Sequence, residues 1–199
     1  MPPLNHIFIL FNKPYNVLSQ FTRDEKHLAI GDFGTFPKSV YPVGRLDADS
    51  EGLLLLTNDN AVNHRLADPK FEHPRTYWAQ VEGIPTEDAL EQLRCGVVIE
   101  KQKTKPAEAK LLGGEPNFPP RSVPIRVRKT IPTSWLELTL REGRNRQVRK
   151  MTAAVGFPTL RLVRTAILFL TLDGLNSGEH RLLTEEELEK LRSALNQSR

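Results

Sequence analysis

Short apolar runs that stop at turn residues dominate the pattern of hydrophobic and polar positions along the chain. Ile7 to Phe11 ends at Asn12-Lys13-Pro14 and predicts a strand that enters a turn, and Val17 to Phe21 predicts a second strand that returns. Gly52 to Thr57 is too short for a helix and predicts a buried strand. Trp135 to Leu140 alternates between apolar and polar residues, as a half-buried strand does.

Helical spacing and capping residues predict short helices as well. These are a helix capped by Asn58 or Asp59, a helix from Thr86 to Gly96, a helix over Arg144 to Val155, and a helix that opens at Thr184 with a capping box to Glu187. Thr76 to Val81 predicts a further strand, and residues 97–129 predict short strands broken by glycines and prolines, as in an insertion or a hinge. Because strands outnumber helices without a regular βαβ rhythm, we expect an α+β fold with a mixed or antiparallel sheet.

Composition places the chain among ordinary globular proteins. Its 199 residues predict one large domain or two small ones, and 39% hydrophobic with 26% charged residues is not a disordered balance. No apolar run approaches the ~20 residues that span a bilayer, and the N-terminus shows no secretory signal pattern. The single cysteine, Cys95, excludes an internal disulfide and zinc sites built on several cysteines, so we expect a cytoplasmic location.

Charge is unevenly distributed along the chain. Residues 121–164 contain eleven basic residues, most of them arginine, against two acids, a surplus of nine positive charges in a chain whose net charge is +4. The planar guanidinium of arginine matches phosphate oxygens in a bidentate way. A nucleic acid is therefore the favoured partner, and a merely solubilising surface is the alternative.

An acid-rich loop precedes the predicted buried strand. Between Gly44 and Gly52 lie Asp47, Asp49 and Glu51, in a position where catalytic residues are common. The alternate spacing also resembles the start of a calcium loop, but the twelfth position is Asn58 rather than glutamate. A solvated turn without chemistry is the third interpretation, and the residues alone leave all three open.

A second candidate segment runs from Leu140 to Met151 and is strongly basic. Arg144 stands at the predicted helix start, and Arg146, Arg149 and Lys150 follow within the helix. Glutamates at helical spacing are scarce in this segment, so the like charges repel unless an anion lies among them. Free N–H groups at a helix start also favour phosphate. An exposed helix face is the alternative.

Several motifs together resemble the RNA pseudouridine synthases, in the branch that contains the small-subunit enzyme A and the large-subunit enzymes B, E and F. The motifs occur in the family's order, and the resemblance covers roughly residues 8–175. They are Asn12-Lys13-Pro14-Tyr15, Gly44-Arg45-Leu46-Asp47 with Gly52 to Asp59, Arg75-Thr76-Tyr77, and Glu142 to Met151.

The resemblance implies a fold and a reaction. We expect one pseudouridine synthase catalytic domain over residues 1–199, without a separate N-terminal RNA-binding domain, in which a bent mixed or antiparallel sheet with flanking helices forms two lobes around a basic cleft. The implied reaction isomerises a specific uridine of large-subunit (23S) ribosomal RNA by glycosidic cleavage, rotation of the uracil and C5–C1′ bond formation. It involves no redox change, so no cofactor and no metal are expected. The expected partner is ribosomal RNA, naked or in an assembling particle, with the protein as a monomer.

The resemblance also assigns roles to individual residues. Asp47 takes the place of the catalytic carboxylate, Tyr77 that of an aromatic ring against the flipped uracil, and Arg149 that of the basic partner of the aspartate. Arg45 would fill the space of the flipped base, and Leu160 or Leu162 would form an apolar wall. The remaining residues expected to bind substrate are Leu46, Arg144, Asn145, Arg146, Gln147 and Lys150.

Two departures and two rival functions accompany this interpretation. Arg75 stands where lysine is frequent, and the segment Leu162 to Leu168 ends without the family's usual glycine. One rival is an RNA-binding protein that reuses the scaffold and does not need Asp47. The other is a metal-dependent phosphodiesterase that uses Asp47, Asp49 and Glu51.

Overall fold

The computed structural model describes residues 6–121, 123–125, 128 and 130–197. The chain divides into two compact units. The first contains the chain up to Glu72 and again from Phe169 onward, and the second is His73–Leu168. Two predicted contributors to the basic segment, Arg126 and Lys129, lie outside the described residues. Within the described part, no helix is long and apolar enough to cross a membrane.

Strands outnumber helices among the described residues, which confirms the predicted α+β class. The strands are β1 (Phe8–Lys13), β2 (Val17–Leu18), β3 (Leu28–Ala29), β4 (Tyr41–Pro42), β5 (Glu51–Thr57), β6 (Arg75–Glu82), β7 (Val98–Ile99), β8 (Gln102–Lys103), β9 (Glu108–Leu111), β10 (Thr133–Leu140), β11 (Thr159–Ile167), β12 (Leu170–Thr171) and β13 (His180–Leu182). The helices are α1 (Asn60–Ala67), α2 (Glu87–Cys95), α3 (Gln147–Ala154) and α4 (Glu185–Gln197), and short 3-10 turns lie at Ile30–Phe33 and Pro69–Phe71.

The first unit is built around β1, which pairs antiparallel with β13 on one side and with β5 on the other. All seven residues of β5 are buried, so the predicted buried strand is confirmed. The predicted return of Val17 to Phe21 against the first strand is wrong. Only Val17–Leu18 is a strand, and it pairs parallel with β3, because the polar residues that follow offer no apolar face to a sheet.

Helix caps in the first unit follow the sequence closely. The Asp59 side chain accepts hydrogen bonds from the backbone N–H groups of Ala61 and Val62 at the start of α1, each at 3.0 Å. At α4, the Thr184 N–H donates to Glu187 and the Glu187 N–H donates to the Thr184 hydroxyl, which is the predicted capping box. The Arg181 guanidinium also donates twice to Glu187, at 2.8 Å each, and fastens α4 to β13.

The Glu187 contacts make the first unit sensitive to acid. The hydrogen bonds from Arg181 lower the pKa of Glu187 from 4.5 to about 2. Since the unfolded chain binds this proton more readily, the stabilisation is complete above pH 4.5 and is lost as the pH falls toward 2. We expect Glu187→Gln to lower the free energy of unfolding by about 1 kcal/mol at pH 7 and by much less at pH 2.5. Urea unfolding at both pH values measures this, with exposed Glu189→Gln as the control. An equal loss at both pH values would contradict it.

The second unit is an antiparallel sheet with strand order β11-β6-β10-β9. Helices α2 and α3 contribute apolar side chains to a core on one of its faces. This core includes Ala79, Val81, Leu90, Leu93, Leu136, Leu138, Leu140, Val148, Met151 and Leu162. The ring of Phe118 packs between Trp78 and Trp135, with centroid distances of 5.5 and 5.7 Å. The Gly/Pro-rich stretch is therefore anchored to the sheet at Phe118.

Two backbone positions in the second unit depart from sequence expectation. Helix α3 begins at Gln147 rather than Arg144, because Arg146 adopts a left-handed conformation with φ of 52° and cannot continue a helical turn. Leu168, which stands where the family usually has glycine, also has a left-handed φ of 54°. The chain therefore keeps the backbone conformation that glycine favours, although the residue is a leucine.

Candidate active site

The acid loop connects β4 to β5 and is held by backbone hydrogen bonds. The Val43 N–H donates to the Leu55 carbonyl at 2.7 Å, and the Ser50 N–H donates to the Asp47 carbonyl at 3.0 Å. Leu46 is buried between these anchors, whereas Asp47 is half-buried and Arg45 is exposed. The loop therefore presents Arg45 and Asp47 to the surroundings while its backbone stays fixed.

Ser19 fixes the same loop from a different segment. Its hydroxyl donates to the Leu46 carbonyl at 2.8 Å and accepts from the Leu46 N–H at 3.0 Å. Both polar backbone groups of Leu46 are thus satisfied by one buried side chain. No sequence pattern indicates this contact, since a serine 27 positions away has no recognisable spacing to the loop.

Lys13 is the feature of this site that sequence reasoning missed. It is fully buried, and its ammonium group donates to the carbonyls of Pro14, Val17 and Ala48, at 2.9, 2.7 and 3.3 Å. The Ala48 carbonyl also accepts from the Asn16 N–H at 2.8 Å. A buried ammonium group with several acceptors joins the β1 turn to the residue that follows Asp47. The available signal is the Asn12-Lys13-Pro14 segment, which predicts a strand end and matches a family motif but does not indicate a buried ammonium group.

The acids of the loop do not form a metal site. No group of three or more histidine, cysteine, aspartate or glutamate side chains in the described part of the chain could hold a metal ion. Glu51 is buried at the start of β5, and the Ser50 hydroxyl lies 3.5 Å from Asp49. Asp47, Asp49 and Glu51 therefore do not form the carboxylate cluster on which a metal-dependent phosphodiesterase would depend.

Tyr77 lies on β6 in the second unit. Its neighbours across the sheet are Leu138 of β10 and Arg164 of β11, and it is partly buried against the apolar core. Arg75 is two residues along the same strand, and burial is the main reason that its pKa is lowered. The charge of Arg164 lowers the pKa of Arg75 further, while Tyr77 opposes both effects. Tyr77 is thus a half-buried phenol in a strongly cationic part of the sheet.

Arg149 and Gln147 occupy the first turn of α3 but differ in exposure. Arg149 is half-buried and donates to the Thr159 carbonyl at 3.3 Å. Gln147 is buried, accepts from the Arg144 N–H at 2.9 Å and donates to Glu142 at 2.6 Å. Gln147 therefore holds the helix start together, and its predicted contact with substrate stays a prediction.

The other four polar residues expected to bind substrate fall into two groups. Arg144 and Lys150 contact the turn between β7 and β8, where Lys150 pairs with Glu100 at 2.6 Å. Asn145 and Arg146 are exposed. Of the two proposed wall residues, Leu162 is buried in the core of the second unit and Leu160 is half-buried.

Acids outside the basic segment partly neutralise it. Besides the Lys150–Glu100 pair, Arg128 pairs with Glu82 at 3.3 Å and Arg141 with Glu108 at 3.6 Å. Arg161 is buried, and its guanidinium lies 5.3 Å from the Phe118 ring centroid. The surplus of nine charges within residues 121–164 therefore overstates the number of arginines and lysines that can meet an external anion.

The family model for RNA pseudouridylate synthase matches residues 7–154 of this chain, about three-quarters of its length. The chain belongs to the RNA pseudouridylate synthase family. It is similar to the ribosomal large subunit pseudouridine synthase E of Xanthomonas axonopodis pv. citri, with 54% identity over 171 residues that cover 85% of this chain and 90% of the relative. It is also similar to the ribosomal large subunit pseudouridine synthase B of Bacillus subtilis, with 41% identity over 188 residues that cover 94% of this chain and 72% of the relative.

A solved structure supports the same family and its fold. A pseudouridylate synthase crystal structure matches with a TM-score of 0.78 and 30% identity, covering 94% of this chain and 74% of the solved one. The family match includes Asp47, Tyr77 and Arg149, whereas Leu160 and Leu162 lie beyond its end. The predicted family and the pseudouridine synthase fold are therefore confirmed.

Proposed function

We propose that this pseudouridine synthase isomerises one or a few uridines of large-subunit ribosomal RNA. The observation that carries this proposal is the 54% identity to a ribosomal large subunit pseudouridine synthase E over 85% of the chain. An RNA-binding protein that merely reuses the scaffold would leave every uridine unchanged. The particular uridine depends on the RNA's shape, which leaves no legible code in a protein sequence.

Asp47 is the proposed catalytic carboxylate. The reaction breaks the N1–C1′ bond, turns the uracil and joins C5 to C1′. The C5 proton leaves to solvent and N1 takes up a proton from solvent, so that the product has the composition of the substrate. A carboxylate attacks or stabilises an electron-poor anomeric carbon, as in glycosidases, and also accepts a proton. The half-buried position of Asp47 on an anchored loop supports this role, since catalysis requires a group held in a fixed place.

Tyr77 and Arg149 complete the proposed catalytic set. The Tyr77 ring provides a flat apolar surface on which a flipped uracil stacks, and its hydroxyl is a group that can transfer a proton. Arg149 supplies a positive charge, and a nearby cation keeps a carboxylate ionised. Both residues are half-buried, which leaves part of each side chain available to a ligand.

Arg45 is proposed to occupy the space that the flipped uridine leaves. It is exposed, and it lies two residues before Asp47 on the same anchored loop. Unstacking a base costs a few kcal/mol, so a side chain that fills the gap raises the flipped population. We expect Arg45→Ala to slow isomerisation more than tenfold while RNA affinity changes less than threefold. A substrate unpaired at the target should recover part of the rate, measured in single turnovers. Equal losses of rate and affinity would contradict this role.

RNA affinity should depend steeply on salt. Basic side chains that contact phosphates release counterions at about 0.9 per contact on duplex and about 0.7 on single strands. If six contacts form, a fourfold rise in salt weakens binding by about 300- to 2,000-fold on the same principle. Filter binding over a range of salt concentrations measures the slope, and a flat response would show that the basic residues face away from the RNA.

The proposal also covers the form of the substrate, the oligomeric state of the chain and its location in the cell. The substrate is ribosomal RNA, either naked or in an assembling particle, and the chain acts as a monomer in the cytoplasm. The basic cleft and the single catalytic domain that the family resemblance implies stay predictions, as do the substrate contacts of Leu46, Asn145, Arg146 and Leu160.

Release of tritium tests the proposed reaction directly. Large-subunit ribosomal RNA transcribed with 5-tritiated uridine loses its label to water only where C5 forms a new bond. The purified chain should release about one or a few equivalents of tritium per transcript, and a small-subunit transcript should release none. Release from neither transcript nor from purified ribosomal particles would contradict the proposed function.

A further inference from the structure

Strands β7 and β8 form a hairpin whose two turn residues are both strained. Glu100 and Lys101 adopt left-handed conformations, with φ of 50° and 66°. This is the conformation of a two-residue hairpin turn in which glycine or asparagine is usual, and other residues lose about 1–2 kcal/mol each. Strain of this kind is commonly found where the side chains have a function. The charged side chains at this turn are therefore candidates for binding.

The hairpin is fixed to the start of α3 by several polar contacts. The Arg144 guanidinium donates to the carbonyls of Ile99 and Gln102, one on each strand, at 3.0 and 3.3 Å. Glu100 pairs with Lys150 of α3 at 2.6 Å. The chain after the hairpin is held too, because the Lys105 N–H donates to Glu142 at 2.9 Å. The hairpin and the helix start thus form one rigid piece of the second unit.

The outer side of this rigid piece is basic. Lys101, Lys103 and Lys105 are all exposed, and they lie outside the segment 121–164 whose charge first indicated a nucleic acid. Among the described residues, Lys101 and Lys103 take part in no ion pair, in contrast to Lys110, which pairs with Glu137 at 2.8 Å. The buried Thr104 accepts from the Val97 N–H at 3.0 Å and fixes the backbone between two of the lysines.

We propose that Lys101 and Lys103 bind the phosphate backbone of the RNA substrate at positions away from the target uridine. This inference rests on the proposed function, since it assumes an RNA substrate. A hairpin already fixed by Arg144 and Glu100 loses little conformational entropy when RNA binds. Lysine acts here as a point charge, which fits sequence-independent contact.

A charge-removing double variant tests the hairpin. Lys101→Gln/Lys103→Gln should reduce the slope of log affinity against log salt by about 1.4–1.8, the value for two phosphate contacts. At 0.1 M salt the same slope change corresponds to an affinity loss of about 25- to 60-fold. The matched control is Lys26→Gln/Lys38→Gln, which removes two exposed lysines from the first unit and should leave the slope unchanged. The probe is a large-subunit ribosomal RNA fragment that the wild-type chain has been shown to isomerise.

The outcomes separate this inference from the proposed function. Saturating RNA should restore the wild-type rate to the hairpin variant, because its lysines bind phosphate and do not take part in the reaction. An unchanged salt slope, a slope change equal to that of the control, or a rate that saturating RNA does not restore would each overturn the inference. If the wild-type chain isomerises no uridine, the proposed function fails first. A benzophenone side chain at position 103 should also crosslink to this RNA, and one at position 38 should not.

Discussion

Asp47→Asn is expected to abolish pseudouridine formation while RNA affinity and stability stay close to wild type. The substitution keeps the size of the side chain and removes its charge and basicity, which are the properties that the reaction needs. The loop should keep its shape, because backbone groups, the Ser19 hydroxyl and the Lys13 ammonium group hold it. We expect the rate to fall at least 10⁴-fold, a loss of about 5.4 kcal/mol in transition-state stabilisation. Tritium release under single-turnover conditions measures it.

The matched control for this experiment is Asp49→Asn. Asp49 is in the same loop and half-buried like Asp47, but it does not match the family's catalytic position. It should keep most of the activity. Glu51 is a poorer control because it is buried at the start of β5, so its substitution would perturb the strand as well. Equal turnover by Asp47→Asn and wild type would end the carboxylate hypothesis.

Lys13→Met should destabilise the chain and slow isomerisation together. Methionine fills a similar volume but leaves the buried carbonyl of Val17 and the partly buried carbonyl of Pro14 without the ammonium donor. An unsatisfied buried acceptor costs about 1–3 kcal/mol, so we expect a loss of about 3 kcal/mol in the free energy of unfolding. For a chain of this size that corresponds to a fall in Tm of about 6–12 °C. Because Lys13 also donates to Ala48, directly after Asp47, kcat should fall at temperatures where the variant is still folded.

Two measurements separate the structural and positioning effects of Lys13. Thermal unfolding gives the change in Tm, and single-turnover rates well below that temperature give the effect on the loop. The exposed Lys26→Met serves as the control and should change neither quantity. If Lys13→Met unfolds at the wild-type temperature and reacts at the wild-type rate, the ammonium group does not hold the loop.

Local signals in the sequence predicted much of the fold, because they depend on neighbouring residues. The burial of β5, the Asp59 cap of α1 and the Thr184–Glu187 capping box all follow from short-range rules, and the structure confirms each. The start of α3 could not be placed, because nothing in the composition of the Arg144–Gln147 segment indicates a left-handed residue. The pairing of β2 with β3 was also missed, since both strands have only two residues and leave no periodic pattern.

Motif resemblance predicted the residues of the candidate site. It did not predict the Lys13 and Ser19 side chains that hold the acid loop in place. Family motifs indicated Asp47, Tyr77 and Arg149, and the family itself is confirmed, whereas the roles of these residues stay predictions. The contacts of Lys13 and Ser19 with the loop join positions that are 27 to 35 residues apart, so no local pattern encodes them. Charge counting along the sequence had a related weakness. A count of charges within one segment omits acids that are distant in sequence, such as Glu100, which pairs with Lys150 of α3 and neutralises part of the basic segment.

Mapping pseudouridines in ribosomal RNA from cells tests the central claim most directly. Ribosomal RNA from cells with and without this protein is treated with a carbodiimide that marks pseudouridine, and the marked positions are read by reverse transcription. We predict that one or a few large-subunit positions lose the mark in cells without the protein, that the wild-type chain restores them, and that Asp47→Asn does not. Identical maps with and without the protein, or restoration by Asp47→Asn, would contradict the account.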